Sequence, residues 1–213
     1  MEDLREHLTE RCVEVDTRGC DFPADLVSLS DEELAILLQQ NKTEAFDELM
    51  RRYKDPVLNF VFRFVGSMEL AEDVVQETFV RVYQKRDLYR PSARFSTWMY
   101  TIASNLAKSE LRRPFRRLGR SLFKDDANDE YITIVDQEPL PDRVADSSFK
   151  YRRIQEALLR LPMKFREVVI LFDMQGLHYD EISTIIELPE GTVKSRLFRG
   201  RAILKELLKD IYD

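Results

Sequence analysis

The sequence predicts an all-α protein of two small helical domains joined by a flexible acidic linker. Apolar residues recur over long segments with the 3.6-residue period of a helix, and no alternating apolar and polar run of useful length indicates a strand. Only 6 of the 213 residues are glycine. The charges divide the chain further, because the net charge of -6 is unevenly spread. We therefore expect two helical blocks separated by a solvating spacer.

The local charge marks four parts of the chain. Residues 1–27 hold 3 basic and 8 acidic residues, and residues 118–146 hold the same numbers. Residues 28–117 hold 15 basic and 13 acidic residues, and residues 147–213 hold 12 and 10, so each block carries +2. We predict an acidic tail over 1–27, helical domains over 28–117 and 147–213, and an acidic linker between them. The linker is rich in acids and lacks a sustained helical period, which favours disorder.

The acidic tail contains the two cysteines of the chain, Cys12 and Cys20, close to His7. A structural zinc site takes four ligands and this group supplies at most three. We therefore predict incidental thiols, with no metal site and no cofactor.

The segment LAEDVVQETFVRVYQ is the first informative helix of the first block. Its helical period buries Ala71, Val74, Val75, Phe79 and Val82. The opposite face is acidic and amide-rich with one valine, and it presents Asp73, Gln76, Glu77, Val80 and Gln84. A solvated face and a docking face explain this pattern about equally well.

The segment FSTWMYTIASNLAKSELRR follows. Setting Trp98 inward buries Ile102 and Ser109, with Leu106 at the edge, and directs Tyr100 outward beside the small residues Ala103 and Ala107. An exposed aromatic side chain near Lys108, Arg112 and Arg113 suits stacking on an unpaired base with phosphates held nearby. Tyr89 and Arg90 add an aromatic and a cation in the preceding basic loop. The alternatives are a surface tyrosine and an ordinary basic helix end.

The stretch from Tyr179 to Lys205 predicts a helix-turn-helix. Ile182, Ile185 and Ile186 form the buried side of a supporting helix. A turn over residues 188–191 follows, with Pro189 at the first position of the next helix, where its missing donor costs nothing. The second helix of such a motif enters the major groove of DNA.

The second helix has an inward stripe of Val193, Leu197, Gly200 and Leu204. Its outward face has Ser195 and Ala202 at the centre, beside Phe198 and Arg199. Arg199 can bind a guanine bidentately, and Phe198 can contact a thymine methyl. The cations at the sides of the helix suit phosphates, and phosphate contacts orient a protein on DNA without reading its sequence. These cations are Lys194, Arg196, Arg201 and Lys205. The alternative is a basic helix that only solvates one face of a bundle.

Composition and motifs exclude other classes of protein. No stretch is apolar enough to span a membrane and no signal peptide precedes the first block, so we expect a cytoplasmic protein without membrane insertion. The chain has no glycine-rich phosphate loop and no helix with paired histidines, and no nucleophile has a plausible base beside it. Asp73 and Glu77, one turn apart, have no further ligand-rich motif with them. We therefore predict that the protein is not an enzyme.

Three segments in this order and spacing resemble a bacterial sigma factor of the extracytoplasmic-function (ECF) class: AEDVVQETFVRVY, FSTWMYTIASNLAKSELRR and LPMKFREVVILFDMQGLHYDEISTIIELPEGTVKSRLFRGRAILKEL. The resemblance covers residues from about 28 to 213. It implies the helical bundle of sigma domain two and the helix-turn-helix of sigma domain four. A sigma factor directs core RNA polymerase to promoters and helps to melt the minus-ten element.

The resemblance also implies roles for individual residues. Asp73, Gln76, Glu77 and Val80 would dock on the coiled-coil of the largest polymerase subunit, and the flap region is a second expected contact. The residues expected to bind the separated minus-ten strand are Tyr89, Arg90, Trp98, Tyr100, Asn105, Lys108 and Arg112. Those expected to bind the duplex minus-thirty-five element are Thr192, Lys194, Ser195, Arg196, Phe198, Arg199 and Arg201. An anti-sigma factor is a further expected partner.

Two positions depart from the family pattern. Ser109 stands where Asp or Asn is common, and Gly200 stands where alanine is common. A glycine inside a helix costs up to about 1 kcal/mol, which indicates either close packing or a softer recognition helix. A stand-alone helix-turn-helix regulator would explain residues 147–213 equally well, but it leaves the segment around Tyr100 without a purpose. The outward face around Arg199 argues against a helical adaptor that binds only proteins.

Overall fold

The structure is a computed structural model that describes residues 26–117 and 145–209. Every regular element within these two ranges is helical, as the sequence predicts. None of these helices is both long and apolar enough to cross a bilayer. The tail with His7, Cys12 and Cys20, and most of the acidic linker, lie outside the described residues.

Four helices form the N-terminal bundle. A 3-10 turn over Leu26–Ser28 precedes them, and another over Arg86–Leu88 leads into the last helix. The helices are α1 over Asp31–Gln39, α2 over Thr43–Val65, α3 over Met68–Gln84 and α4 over Phe95–Arg117.

Local sequence signals explain where these helices begin and end. The Ser30 hydroxyl accepts a hydrogen bond from the Glu33 N–H at 3.2 Å, and the Glu33 carboxylate accepts one from the Ser30 N–H at 2.7 Å. This capping box starts α1 because it satisfies donors that lack partners inside the helix. Gly66 ends α2 with a φ of 85°, a left-handed conformation that glycine adopts without strain. The Ser67 hydroxyl then caps α3.

The C-terminal bundle begins with α5 over Ala145–Arg160 and α6 over Met163–Val169. A π-helical turn over Ile170–Met174 extends α6. The last two helices are α7 over Tyr179–Ile186 and α8 over Glu190–Leu207. They confirm the predicted helix-turn-helix, with Ile182 and Ile185 buried on the supporting helix. The turn is shorter than predicted, because Glu190 and Gly191 are helical and Pro189 caps the helix instead of opening it.

The inward stripe of α8 is confirmed at Val193, Leu197 and Gly200, which are buried. A Cβ atom on Gly200 would lie 2.8 Å from Cγ2 of Val169 and 3.4 Å from Cβ of Phe165. Close packing therefore explains this glycine, because α6 approaches the backbone of α8 more closely than any side chain would allow.

The two bundles share one continuous apolar core, which contains Phe60 and Phe64 of α2 together with Leu158 of α5 and Val168 of α6. At one point they meet closely: a Cβ on Gly66 would lie 2.8 Å from a methyl of Leu159. The described helices therefore pack as a single closed body, and the C-terminal bundle lies against α2 and α4.

This packing corrects the predicted orientation of α4. Tyr100, Ala103 and Ala107 are buried, although the pattern around Trp98 predicts that they point outward. Trp98 and Ile102 are only partly buried. The prediction is wrong because α4 is covered on two sides, by α3 of its own bundle and by α7 of the other. A wheel with one inward direction does not describe a helix with two buried sides.

Candidate nucleic-acid interface

The second helix of the helix-turn-helix presents an exposed surface that we call the α8 face, made of Ser195, Phe198, Arg199 and Ala202. Phe198 is 76% exposed and is the most exposed large apolar side chain of the described residues. A single exposed apolar side chain is common on protein surfaces, so it is the combination of Phe198 with the exposed Ser195 and Arg199 on one helix that distinguishes this face. The outward direction of these side chains agrees with the wheel, and their role in DNA binding stays a prediction.

The cations beside the α8 face are in different states. Lys194 forms an ion pair with Glu190 at 3.1 Å and lies 5.1 Å from the centre of the Tyr179 ring. Arg201 forms a bidentate pair with Asp173, with Nε 3.0 Å from Oδ2. Hydrogen bonding to Asp173 raises the pKa of Arg201 above its already high value. Lys194, Arg199 and Arg201 are all exposed, but Lys194 and Arg201 are each paired with a carboxylate of the C-terminal bundle.

The aromatic partners of these two cations come from the π-helical turn and the start of α7. Phe172 and Tyr179 stack with ring centres 4.7 Å apart. Arg201 lies 5.1 Å from the Phe172 ring on one side of this pair, and Lys194 contacts Tyr179 on the other. The aromatic pair therefore fixes two flanking cations of the recognition helix.

A second exposed surface, the α3 face, consists of Asp73, Gln76, Glu77 and Val80. Val80 is 47% exposed, and Glu77 pairs with Arg81 at 2.7 Å. The buried side of the same helix contains Ala71, Val74, Val75, Phe79 and Val82, as the sequence predicts. Because the four side chains are exposed together on one rigid helix, the α3 face can dock a partner without rearrangement.

The loop before α4 separates the two side chains predicted there. Tyr89 is only 2% exposed, its ring packs against Phe95 and Trp98, and its hydroxyl donates to the Ala93 carbonyl at 2.8 Å. Burial raises the pKa of Tyr89. In this structure Tyr89 supports the loop from inside and is not available to stack on a base. Arg90 is exposed, with its guanidinium donating to the Asp87 carbonyl.

The side of α4 that meets the C-terminal bundle, which we call the α4 face, consists of Tyr100, Ala103, Ser104, Ala107 and Lys108. Tyr100 is 4% exposed and packs edge-on against Phe60. Its hydroxyl donates to the Gln175 Oε1 at 2.6 Å, and burial raises its pKa. The Lys108 Nζ donates to the Glu167 Oε1 at 3.1 Å, and the Ser104 hydroxyl donates to the same oxygen. Of the other predicted strand contacts on this helix, Asn105 and Arg112 are exposed and Trp98 is partly buried.

Sequence reasoning missed the residues of the C-terminal bundle that cover the α4 face, namely Glu167, Gln175 and Glu181. Glu167 is 4% exposed and Glu181 is 7% exposed. Glu181 lies 3.4 Å from Arg94 of the α4 loop, and its other oxygen accepts the His178 N–H at 2.8 Å. Buried carboxylates are rare unless they are paired. Acids that fall on the buried side of a predicted helix could therefore have indicated that a donor from another part of the chain lies against them. No sequence pattern identifies the partners.

Arg166 was also missed, and among the described residues it is the largest side chain that is almost fully buried, at 2% exposure. It donates to the Phe64 carbonyl at 2.7 Å across the two bundles, and to the carbonyls of Leu159 and Leu161 within its own. Burial lowers its pKa to about 10, which leaves it charged at neutral pH. A cation at the C-terminal end of α2 complements the negative end of that helix dipole.

Comparison with known families gives two matches that divide the chain. Residues 49–117 match the family model of sigma-70 region 2, and residues 151–204 match that of sigma-70 region 4. The first match includes the α3 and α4 faces, and the second includes the helix-turn-helix with the α8 face. A stand-alone helix-turn-helix regulator accounts for the second match only.

Relatives along most of the chain are RNA polymerase sigma factors, and the first two below are named as ECF factors. SigW of Bacillus subtilis is 34% identical over 176 residues, which is 82% of this chain and 94% of that protein. SigE of Mycolicibacterium smegmatis is 34% identical over 190 residues, which is 87% of this chain and 72% of that protein. The RNA polymerase sigma-H factor of Pseudomonas aeruginosa is 30% identical and covers 87% of this chain and 97% of its own.

Two solved structures share the fold. The sigma factor RpoE of Bartonella quintana, in complex with the anti-sigma factor NepR, gives a TM-score of 0.61 at 26% identity over 77% of this chain and 96% of that one. CnrH, in complex with the cytosolic domain of CnrY, gives 0.63 at 23% identity over 84% of this chain and 97% of that one. The second likeness concerns the fold alone.

Proposed function

Because this chain belongs to the ECF sigma factors of RNA polymerase, as its relatives along most of its length show, we propose which of its surfaces carry out each step of initiation. A sigma factor is a transcription initiation factor and not an enzyme, so every step is a binding step. We assign the α8 face to the duplex minus-thirty-five element, the α3 face to core polymerase, and the α4 face with the Arg90 loop to the separated minus-ten strand.

The observation that carries this proposal is the α8 face. Phe198 is 76% exposed on the second helix of a helix-turn-helix, with Ser195 and Arg199 exposed beside it. Small residues at the centre of the face let the helix axis approach base edges, and an arginine fork matches the two acceptors of guanine. Thr192 and Arg196 flank the same face and suit phosphates. Lys194 and Arg201 can serve there as well once their contacts with Glu190 and Asp173 yield.

The α3 face fits a protein partner better than a nucleic acid, because its two acids would repel phosphates. We assign it to the coiled-coil of the largest polymerase subunit and expect the flap region to contact the C-terminal bundle. Val80 supplies the apolar centre of this contact, and the surrounding acids and amide supply its polar rim.

The minus-ten assignment uses the side chains that the structure leaves accessible together with those that it covers. Arg90, Asn105 and Arg112 are exposed, and an amide such as Asn105 can pair with a base edge. Tyr100 and Lys108 join them when the C-terminal bundle moves away. Melting then follows from the capture of unpaired bases, and no chemical step is involved.

The remaining assignments concern the protein as a whole. We propose domain limits of 28–117 and 147–213, with a linker over 118–146 and an acidic tail over 1–27. We also propose a cytoplasmic location and control by an anti-sigma factor. The partner of the Bartonella quintana factor supports the last point, since that complex is formed by a protein of similar fold.

Initiation by purified core polymerase tests the assignments. The DNA is the fragmented genome of the encoding organism, and the 5′ ends of the transcripts are mapped with and without this protein. We expect discrete start sites only when it is added, and Arg199→Ala should weaken them. Arg152→Ala removes the same charge from an exposed position on α5 and serves as the matched control.

The assays separate the three faces. Asp73→Ala with Glu77→Ala should weaken binding to core polymerase and leave duplex binding intact. Weaker duplex binding with intact binding to core polymerase would contradict the assignment of the faces. Start sites that do not respond to Arg199→Ala would contradict it as well. Tight specific duplex binding without any initiation would instead favour a stand-alone regulator.

A further inference from the structure

We propose that α1 shapes the Arg90 loop, which spans residues 85–94 between α3 and α4, and that Gln39 and Glu32 are positioning residues for strand recognition. The inference rests on the proposed function, because it assumes that this loop binds the separated minus-ten strand. Neither residue belongs to a surface that we assign to DNA. Both act through the backbone of the loop.

Gln39 holds the first half of the loop. Its Nε2 atom donates to the Arg86 carbonyl at 2.8 Å and to the Tyr89 carbonyl at 3.0 Å. A side-chain amide nitrogen carries two hydrogens, so both are used on carbonyls of the loop. The two bonds therefore fix the 3-10 turn over Arg86–Leu88 and the path of the backbone into Arg90.

Glu32 holds the other end of the loop. Its carboxylate accepts a hydrogen bond at 3.1 Å from the N–H of Phe95, the first residue of α4. The first N–H groups of a helix have no partner within it, and the helix dipole stabilises a negative charge at this end. Glu32 and Gln39 are about two helical turns apart, so they lie on one side of α1. This spacing lets α1 contact the loop at both of its ends.

A third contact ties the start of the loop to the turn that follows α1. The Arg86 guanidinium donates to the Asn41 Oδ1 at 2.8 Å, and it also lies 4.6 Å from the centre of the Tyr83 ring. The cation–π contact holds the guanidinium on the end of α3. Arg86 therefore joins α3, the loop and the end of α1.

The inside of the loop is filled by aromatic side chains. The Tyr89 hydroxyl donates to the Ala93 carbonyl at 2.8 Å, and its ring lies 5.7 Å from the Phe95 ring and 5.4 Å from the Trp98 ring. With its backbone held by α1 and its inside packed, the loop presents the exposed Arg90 in a defined place.

The consequence is a gain in affinity from preorganisation. A loop that already has its bound shape loses less conformational freedom when it binds. The apparent dissociation constant rises in inverse proportion to the fraction of chains that have this shape. Loosening the loop should therefore weaken binding of the strand and leave binding of the duplex by the α8 face unchanged.

Gln39→Met tests the inference, because methionine keeps the length of the side chain and removes both donors. Gln40→Met is the matched control, since it makes the same change at the next residue, which is exposed. Trp98 is the only tryptophan of the chain and packs against Tyr89, so quenching of its fluorescence by acrylamide reports the order of the loop. We expect Gln39→Met to raise the quenching and Gln40→Met to leave it at the native level.

Strand binding is measured with the complex of this protein and core polymerase. The probe is a short fluorescent strand with the non-template minus-ten sequence of a mapped promoter, and its anisotropy reports binding. We expect Gln39→Met to weaken binding about tenfold, which corresponds to an ordered loop in about one chain in ten. Duplex binding by the free protein and association with core polymerase should stay native, which excludes loss of the fold as the cause.

Glu32→Ala and Glu32→Gln test the second attachment. Alanine removes the acceptor of the Phe95 N–H, so it should raise the quenching and weaken strand binding as Gln39→Met does. Glutamine loses the charge but keeps an acceptor oxygen, so it should stay close to the native chain. Equal losses in the two variants would mean that Glu32 acts only through its charge and would overturn its positioning role.

Native quenching in Gln39→Met would overturn the inference, and so would a looser loop that binds the strand as tightly as the native loop. An equal loss of strand binding in Gln40→Met would overturn it as well, because that change leaves both contacts of Gln39 in place. Failure of the proposed function looks different: Arg90→Ala would leave strand binding by the polymerase complex unchanged, whatever the order of the loop.

Discussion

The α8 face and the α4 face are both assigned to promoter DNA, yet the structure treats them in opposite ways. Phe198 on the α8 face is 76% exposed, whereas Tyr100 on the α4 face is 4% exposed. A duplex can therefore meet the recognition helix without any rearrangement. The α4 face, which we assign to the single strand, is covered by the C-terminal bundle in this structure.

The residue types explain the difference. Ser195 and Ala202 at the centre of the α8 face are small, so apart from Phe198 the face offers little apolar surface for another helix to bury. The α4 face combines a tyrosine with Ala103 and Ala107, which together form a shallow apolar surface suited to helix packing. The tyrosine and the small side chains that would let a base stack on this helix also let α7 and the turn before it pack against the helix.

The largest expected effect comes from Arg166, the buried cation that joins the two bundles. Arg166→Met keeps the length of the side chain but leaves the carbonyls of Phe64, Leu159 and Leu161 without their donor. Buried acceptors without partners cost about 1–3 kcal/mol each, and partial access of water reduces the sum, so we expect the free energy of unfolding to fall by about 3 kcal/mol. Chemical denaturation measures it, with Arg152→Met as the exposed control. A loss below about 1 kcal/mol would show that the hydrogen bonds of Arg166 contribute little to the stability of the fold.

The next effect concerns the open face. Arg199→Ala should weaken binding to the minus-thirty-five duplex by about 1–3 kcal/mol, which is the usual value of a bidentate contact to guanine. Electrophoretic or anisotropy titration at fixed salt measures it. Arg152→Ala, which removes the same charge from an exposed position of α5, is the control and should bind the duplex as the native chain does. An equal loss in the control would mean that Arg199 acts only through net charge.

A smaller effect is expected where α8 packs on α6. Gly200→Ala gains helix propensity of about 1 kcal/mol but drives its Cβ into Val169, and overpacking costs about 1–3 kcal/mol. We expect a net loss of about 1 kcal/mol in the free energy of unfolding. Adding Val169→Ala makes room, so the double variant should be more stable than the two separate losses predict when summed. Strict additivity would remove close packing as the explanation of this glycine.

The smallest effect concerns the cation held beside the α8 face. Asp173→Asn releases Arg201 from its bidentate partner, so one more phosphate contact becomes available. Each such contact adds about 0.9 to the slope of log affinity against log salt concentration. Duplex titrations at several salt concentrations measure this slope, with Glu206→Gln as the control for the change in net charge. An unchanged slope would mean that Arg201 already binds phosphate despite Asp173.

The sequence predicted the features that follow from the period of a single helix, and it failed where packing between helices decides which side chains are buried. The buried residues of α3, the supporting role of Ile182 and Ile185, and the inward stripe of α8 were all confirmed, because each follows from the period of a helix with one buried side. The outward direction of Tyr100 was wrong, because α4 has two buried sides. Tyr89 also proved to be buried, since nothing in a basic loop distinguishes an aromatic side chain that supports it from one that projects from it.

The sequence by itself determined the helical class, the charged tail and linker segments, the helix-turn-helix and the family. These properties follow from local sequence patterns and from the order and spacing of the motifs. Only the tertiary structure decided that Glu167, Gln175 and Glu181 cover the α4 face and that Arg166 reaches the end of α2. Those contacts join residues 59 to 102 positions apart, and the pairing of such distant groups depends on how two preformed helical surfaces fit together.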